Sequence, residues 1–243
     1  MNVLYEDNHL IVVNKRAGEI VQGDKTGDEP LCETVKRYIK DAYAKPGNVF
    51  LGVVHRLDRP VSGCVVFART SKALSRLNDM FRRGDVHKTY WAIVERRPSS
   101  QTPQAEGAYT TLTNWLVRNE QQNKSYAYDH EVPGSKRAEL RYRVLTVGER
   151  YLLVEVQLLT GRHHQIRCQL AAVGLPIRGD LKYGARRSNP DGSISLMARS
   201  VDFEHPVSHE HIHVEAPLPD DTLWAKLSTP SDPSPILPKG RGF

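Results

Sequence analysis

The stretch GVVHRLDRPVSGCVVFA, residues 52–68, has two parts of opposite character. Its second part, GCVVFA at 63–68, is a short apolar run rich in β-branched residues, the pattern of a buried strand. Directly ahead of it stand His55, Arg56 and Asp58, followed by Pro60 and Gly63. An acid at the end of a buried strand stays ionised only if something compensates its charge, because an unpaired buried carboxylate protonates instead. The stretch therefore predicts a core strand entered through a loop that carries an acid in need of a partner.

Outward from that strand, SKALSRLNDMFRRG (71–84) has the punctuation of a helix. Ser71 suits its start, Ala73, Leu74, Leu77, Met80 and Phe81 form an inner stripe, Arg82 and Arg83 suit its negative end, and Gly84 can stop it. Upstream, LIVVN (10–14) reads as a strand that turns at Lys15 to Gly18. From Pro30 the positions Leu31, Val35, Tyr38, Ile39 and Ala42 follow helical spacing. Downstream, 88–95, 138–147 and 151–159 have strand character. A third helix is expected from near Gly161, carrying Ile166, Leu170 and Val173 inward and ending at Gly174. Residues 96–107 and 118–136 read as polar connections. Strands and helices do not alternate regularly, which predicts an α+β fold: a mixed, largely antiparallel sheet flanked by helices and loops.

The chain has 243 residues, enough for one sizeable core without disulfide staples. One domain is expected over 1–227, with a proline-rich tail at 228–243 too poor in apolar residues to fold alone. Cys32, Cys64 and Cys168 are widely spaced and include no CxxC pair, so they read as core residues in a reducing compartment. No run approaches eighteen apolar residues, and Glu6 and Asp7 interrupt the start, so neither a membrane span nor a secretory leader is expected and the location read is the cytoplasm. A net charge of +6 favours a polyanionic partner.

Three segments combine charge with apolar flanks: HRLD (55–58), HKTY (87–90) and TGRHHQIR (160–167). Arg167 is the partner chosen for Asp58, since a guanidinium can hold a carboxylate through two parallel bonds and keep it oriented. A purely structural ion pair is the competing reading for these two residues, although buried pairs stabilise poorly for their desolvation cost.

The segments HRLDRPVSG, KTYWAIV and LLTGRHHQIRCQLAAVGLPIRGDLKYG, with NKRAG (14–18) before them and MARSVDFEHP (197–206) after, resemble in this order the signature segments of the RluA family of RNA pseudouridine synthases. The resemblance runs from about residue 3 to about 220. It implies the pseudouridine synthase fold and an isomerase that acts on a flipped uridine in rRNA or tRNA. It also implies an essential Asp58, Tyr90 packed on the uracil, Arg167 paired to the aspartate, and Arg56 filling the space left by the target base. Isomerising uridine gains and loses no atoms, so no metal, nucleotide or other cofactor is expected. His55, His164, Gln165 and Leu196 lie within or beside the matching segments and are expected at the substrate. Lys15, Lys88 and Arg162 are candidates for the RNA-facing surface, with Arg69, Lys72, Arg82, Arg83, Arg178 and Lys182 as further basic residues near the segments. Arg16, Val61, His163 and Met197 depart from the family pattern. The matching segments begin at the chain's first strand, so no separate N-terminal RNA-binding domain is expected, and a monomer is the default.

Two other functions compete. His209, His211 and His213 alternate in SHEHIHVE, which would suit a metal-dependent RNA hydrolase, although alternating histidines on a strand are more often a solvated face. A catalytically silent RNA-binding protein on the same fold is the other. Asp58→Asn separates them, because it should end tritium release from uracil carbon 5 while leaving RNA binding intact.

Overall fold

The computed structural model describes residues 1–97 and 107–229. The strand expected at 63–68 forms as β4 (Ser62–Ala68), buried from Gly63 onward. Upstream, β1 (Asn2–Glu6) and β2 (Leu10–Lys15) make a hairpin whose second strand pairs antiparallel with β4. On its other side β4 runs parallel to β10 (Leu196–Glu204), with Ser62 and Gly63 opposite Met197 and Ala198. Beyond β10 the sheet continues antiparallel through β5 (His87–Glu95), β9 (Tyr151–Leu158), β8 (Lys136–Val147), β6 (Thr110–Asn119) and the edge strand β7 (Lys124–Tyr128). The two-residue β3 (Gly52–Val53) adds to β4, and β11 (His211–Glu215) adds to β10. The result is one mixed sheet of eleven strands among the described residues, as the irregular order of elements predicted.

Gly63 makes the parallel pairing possible. Its φ is +112°, and a Cβ there would collide with the backbone of Ala198. Only glycine meets both demands, so the Gly ahead of the apolar run fixes how closely β4 approaches β10.

Helices α1 (Leu31–Ala42) and α2 (Ser71–Arg83) bury Val35, Ile39, Ala73 and Leu77 in the main core with the strands. Thr70, not Ser71, caps α2, its hydroxyl accepting from the Ala73 amide at 3.2 Å, and Gly84 ends the helix in the left-handed conformation as expected. Helix α3 (Gln165–Ala172) starts later than predicted because residues 163–164 form a turn ahead of it. It covers a smaller cluster of Leu116, Ala138, Cys168 and Tyr183, next to β6 and β7. All three cysteines are free and buried.

The stretch 118–136, expected to be a connection, contains the end of β6 and all of β7. Ser125 of β7 is buried while Tyr126 and Tyr128 are exposed, so this polar edge strand alternates without any apolar run to announce it. Helix α4 (Thr222–Ser228) ends where the proline-rich tail was expected to begin. That tail from 230 on, and most of the connection at 96–107, lie outside the described residues. No helix among the described residues is long and apolar enough to cross a membrane.

Candidate active site

Asp58 sits on the loop between β3 and β4, and the loop is tied down from several directions. Lys15, at the end of β2, is fully buried and its Nζ donates toward the carbonyls of Arg16 (3.0 Å), Asp58 (3.2 Å), Arg59 (3.0 Å) and Val61 (2.6 Å). Burial pushes the Lys15 ammonium down to about 8, with the nearby Glu19 and Asp58 charges pulling it back up. The Gly18 amide donates to the Arg59 carbonyl at 2.8 Å, and the Val61 amide closes the turn on the Asp58 carbonyl at 3.0 Å. His55 accepts at Nε2 from the Val66 amide of β4 at 2.9 Å and stacks on Phe81 of α2. Burial, with the Lys88 charge beside it, pushes the His55 imidazole down to about 3.

Two expectations change here. Lys15 does not face RNA, because four carbonyls of its own chain take its ammonium. His55 is a neutral pin between loop, strand and helix, since its ring is spent on Val66 and Phe81.

Arg167 of α3 reaches this loop from 109 residues away and donates from Nη1 to Asp58 Oδ2 at 3.1 Å. The two parallel bonds expected for Asp58 go elsewhere: Nε and Nη2 engage Asp180 at 2.7 and 2.9 Å. Asp180 is 1% exposed, whereas the Asp58 side chain is 31% exposed. One carboxylate thus fixes the guanidinium and the other opens to solvent. Burial works against the Arg167 charge, but the bonds and charge of Asp180, then of Asp58, more than offset it and hold the group above its usual value. The guanidinium also lies over the Tyr183 ring, 5.1 Å from its centre.

Tyr90 is buried in the central strand β5, opposite Ala198 of β10, the residue that Gly63 approaches. Burial first, then the Asp58 charge, raises the phenol above its ordinary value and keeps it protonated.

His164 lies at the turn before α3 in the left-handed conformation, with φ +51°. Its Nδ1 is 3.0 Å from the Tyr183 hydroxyl, its Nε2 is 3.5 Å from Asp58 Oδ2, and its ring stacks on His163 at 3.8 Å. Burial, then the Arg167 charge, pushes this imidazole down to about 2. The Tyr183 hydroxyl also accepts from the Ser125 amide at 2.8 Å.

The remaining expected residues divide. Arg56 is exposed on the Asp58 loop. Lys88 lies two residues before Tyr90 on β5, over the Phe81 ring, its ammonium pushed down by burial. Gln165 is buried and holds the turn, accepting from Thr160 and the Arg162 amide and donating to the Glu139 carbonyl, so it is not free for substrate. Leu196 is buried in the main core at the start of β10. Arg69 and Arg178 are paired with Glu6 and Asp221. Arg162 is exposed and lines a cavity of about 240 Å³ with Arg118, Lys136 and His163, and among the described residues the lining carries no carboxylate. Arg118 and Lys136 fell in the stretch read as a connection, so their position beside the site was hidden.

The histidines of β11 and its turn are exposed. His213 faces Asp202 and His209 faces Glu204, each at 2.5 Å. Carboxylates thus lie closer than the sequence suggested, but each takes a different imidazole, and no cluster suited to a metal occurs among the described residues.

The family model described as RNA pseudouridylate synthase matches residues 9–172. The uncharacterized RNA pseudouridine synthase YlyB of Bacillus subtilis is 31% identical over 224 residues, covering 91% of this chain and 70% of its own. Ribosomal large subunit pseudouridine synthase D of Xanthomonas campestris pv. campestris is 33% identical over 236 residues, covering 91% and 67%. Among solved structures, human RNA pseudouridylate synthase domain containing 4 superposes with a TM-score of 0.72 at 23% identity, covering 90% of this chain and 89% of that one.

Proposed function

The chain belongs to the RNA pseudouridylate synthase family, and from that premise we propose that it isomerises uridines of structured RNA, large-subunit rRNA or tRNA, at Asp58. Relatives named for the ribosomal large subunit favour rRNA between the two. The observation that carries the site assignment is the pairing of Arg167 with two unequal carboxylates: a buried Asp180 that anchors it and a partly exposed Asp58 that it orients.

In the reaction the bond from uracil N1 to sugar C1′ breaks, the ring turns, and C5 joins the same C1′. The C5 proton leaves and N1 gains one, so nothing is oxidised or added. Asp58, held by the Arg167 guanidinium, supplies the carboxylate for attack on the sugar, attack on the base, or removal of a sugar proton. Each of these routes uses the same carboxylate. Tyr90, held as a neutral phenol, is suited to stack on the uracil. Flipping the base costs a few kcal/mol of stacking and pairing, which Arg56 offsets by taking the vacated space. The carboxylate-free pocket of Arg118, Lys136 and Arg162 beside His163 gives the phosphates a cationic track toward Asp58. The reading takes the protein as a monomer without a nucleotide cofactor.

The test uses RNA carrying tritium at uracil C5, prepared from cells that lack the protein. Wild-type protein should release tritium, and Asp58→Asn should bind the RNA as tightly while releasing none. Wild-type protein that binds the RNA and releases no tritium would instead favour a silent RNA-binding protein.

A further inference from the structure

The contacts around His164 can be satisfied in only one arrangement of protons. Tyr183 has one hydroxyl proton, and its oxygen already accepts the Ser125 amide at 2.8 Å. His164 Nδ1 is the remaining polar atom at hydrogen-bond distance, 3.0 Å away. If Nδ1 carried the proton, the hydroxyl would have no acceptor among the described residues. The bare Nε2 lone pair would then point at Asp58 Oδ2, 3.5 Å away. If the hydroxyl donates to Nδ1, the ring proton is on Nε2 and every group has a complementary neighbour. A doubly protonated ring would set a second cation against Arg167, with Lys182 and Arg118 also near and Asp58 as the one carboxylate in contact among the described residues.

We infer that His164 is a positioning residue for the reaction: a neutral imidazole, locked as the Nε2–H tautomer by the Ser125–Tyr183 relay, whose N–H addresses Asp58 Oδ2 alongside Arg167. The inference rests on Asp58 being the reacting carboxylate. At 3.5 Å the Nε2–H contact is longer than a hydrogen bond, and a small rotation of the carboxylate as substrate closes would shorten it. Both donors fall on the same oxygen, which leaves Oδ1 without a protein donor among the described residues and makes it the oxygen that meets the nucleotide. The backbone fits this role. The left-handed region is unfavourable for a non-glycine residue, and holding His164 there places its ring between Tyr183 and Asp58 while its carbonyl accepts the Cys168 amide of α3 at 2.9 Å.

The decisive measurement is on wild-type protein labelled with nitrogen-15 at histidine. The His164 ring should show a protonated Nε2 and an unprotonated Nδ1, unchanged across about pH 5 to 8. A protonated Nδ1, or a ring that becomes doubly protonated in that range, overturns the inference. Kinetics add a second reading: Tyr183→Phe should lower kcat about tenfold or more, the scale of the Nε2–H contact to the Asp58 carboxylate that it would release, with KM unchanged. His164→Gln, which can still offer an N–H, should retain more kcat than His164→Met at equal RNA affinity. Equal kcat in these two variants, or a Tyr183→Phe effect confined to KM, counts against it. Failure of the underlying reading looks different: Asp58→Asn would stay active whatever the tautomer.

Discussion

The anchoring of the loop that carries Asp58 and the cavity that Arg162 lines both use basic side chains and both border the candidate site, yet their charges do opposite work. In the first, Lys15 is buried under four carbonyls and His55 is neutral and packed. In the second, Arg118, Lys136 and Arg162 are exposed around a cavity without a carboxylate. A cation next to an active-site motif can thus fasten backbone oxygens or face phosphate, and its environment separates the two. Substitutions in the fasteners should cost stability and turnover together, while those in the phosphate-facing group should cost affinity alone.

The largest effect on the fastener side is expected at Asp180. Asp180→Asn removes the buried charge that balances Arg167, and breaking such a pair costs about 3–5 kcal/mol; urea unfolding should show it, and the kcat of the surviving folded fraction should fall with it. An Asp180→Asn protein of wild-type stability would mean that Asp58 alone holds the guanidinium. Lys15→Met comes next, since it strips donors from buried carbonyls at about 1–3 kcal/mol for each group left unsatisfied. Thermal melting should register the change, with kcat reduced and RNA affinity kept. A variant that melts normally and binds RNA weakly would return Lys15 to the RNA-facing class.

Acid should then erode the same region. His55 and His164 are neutral in the fold, with values near 3 and 2, whereas an unfolded histidine titrates near its ordinary 6.5. Between those limits the unfolded chain binds more protons, so stability falls as pH drops below about 6.5. His55→Gln, which keeps an acceptor for Val66, should flatten this acid limb in melting curves recorded from about pH 7 to pH 5. An unchanged limb would remove His55 from the account. The smallest effect belongs to the phosphate-facing group. Replacing Arg118, Lys136 and Arg162 together by Gln should leave melting and kcat near wild type, raise KM, and lower the slope of log affinity against log salt by about one for each phosphate no longer neutralised.

What the sequence made legible follows the same division. β4, α2 and the Asp58–Arg167 contact were readable because each combines a local pattern with strong chemistry: a β-branched run, a capped amphipathic helix, and an acid that must be paired. Asp180 was missed although it stands after Gly179 in one of the segments that carry the resemblance. Once Asp58 was assigned, nothing in the spacing showed that the guanidinium would spend two of its three bonds elsewhere. β7 was missed because an edge strand such as KSYAY needs only one buried face, and Ser125 and Ala127 supply it without an apolar run. Lys15 was misread because lysines are almost never fully buried unless paired, and its pairing lies in carbonyls that no sequence pattern displays.

The comparison depends on a single charge in an open position. The most direct measurement is tritium release from uracil C5 by wild-type and Asp58→Asn protein, with RNA affinity measured on both. The wild type should release tritium and the variant about a thousandfold less or lower still, at equal affinity; release by Asp58→Asn near the wild-type rate would contradict a role for the carboxylate.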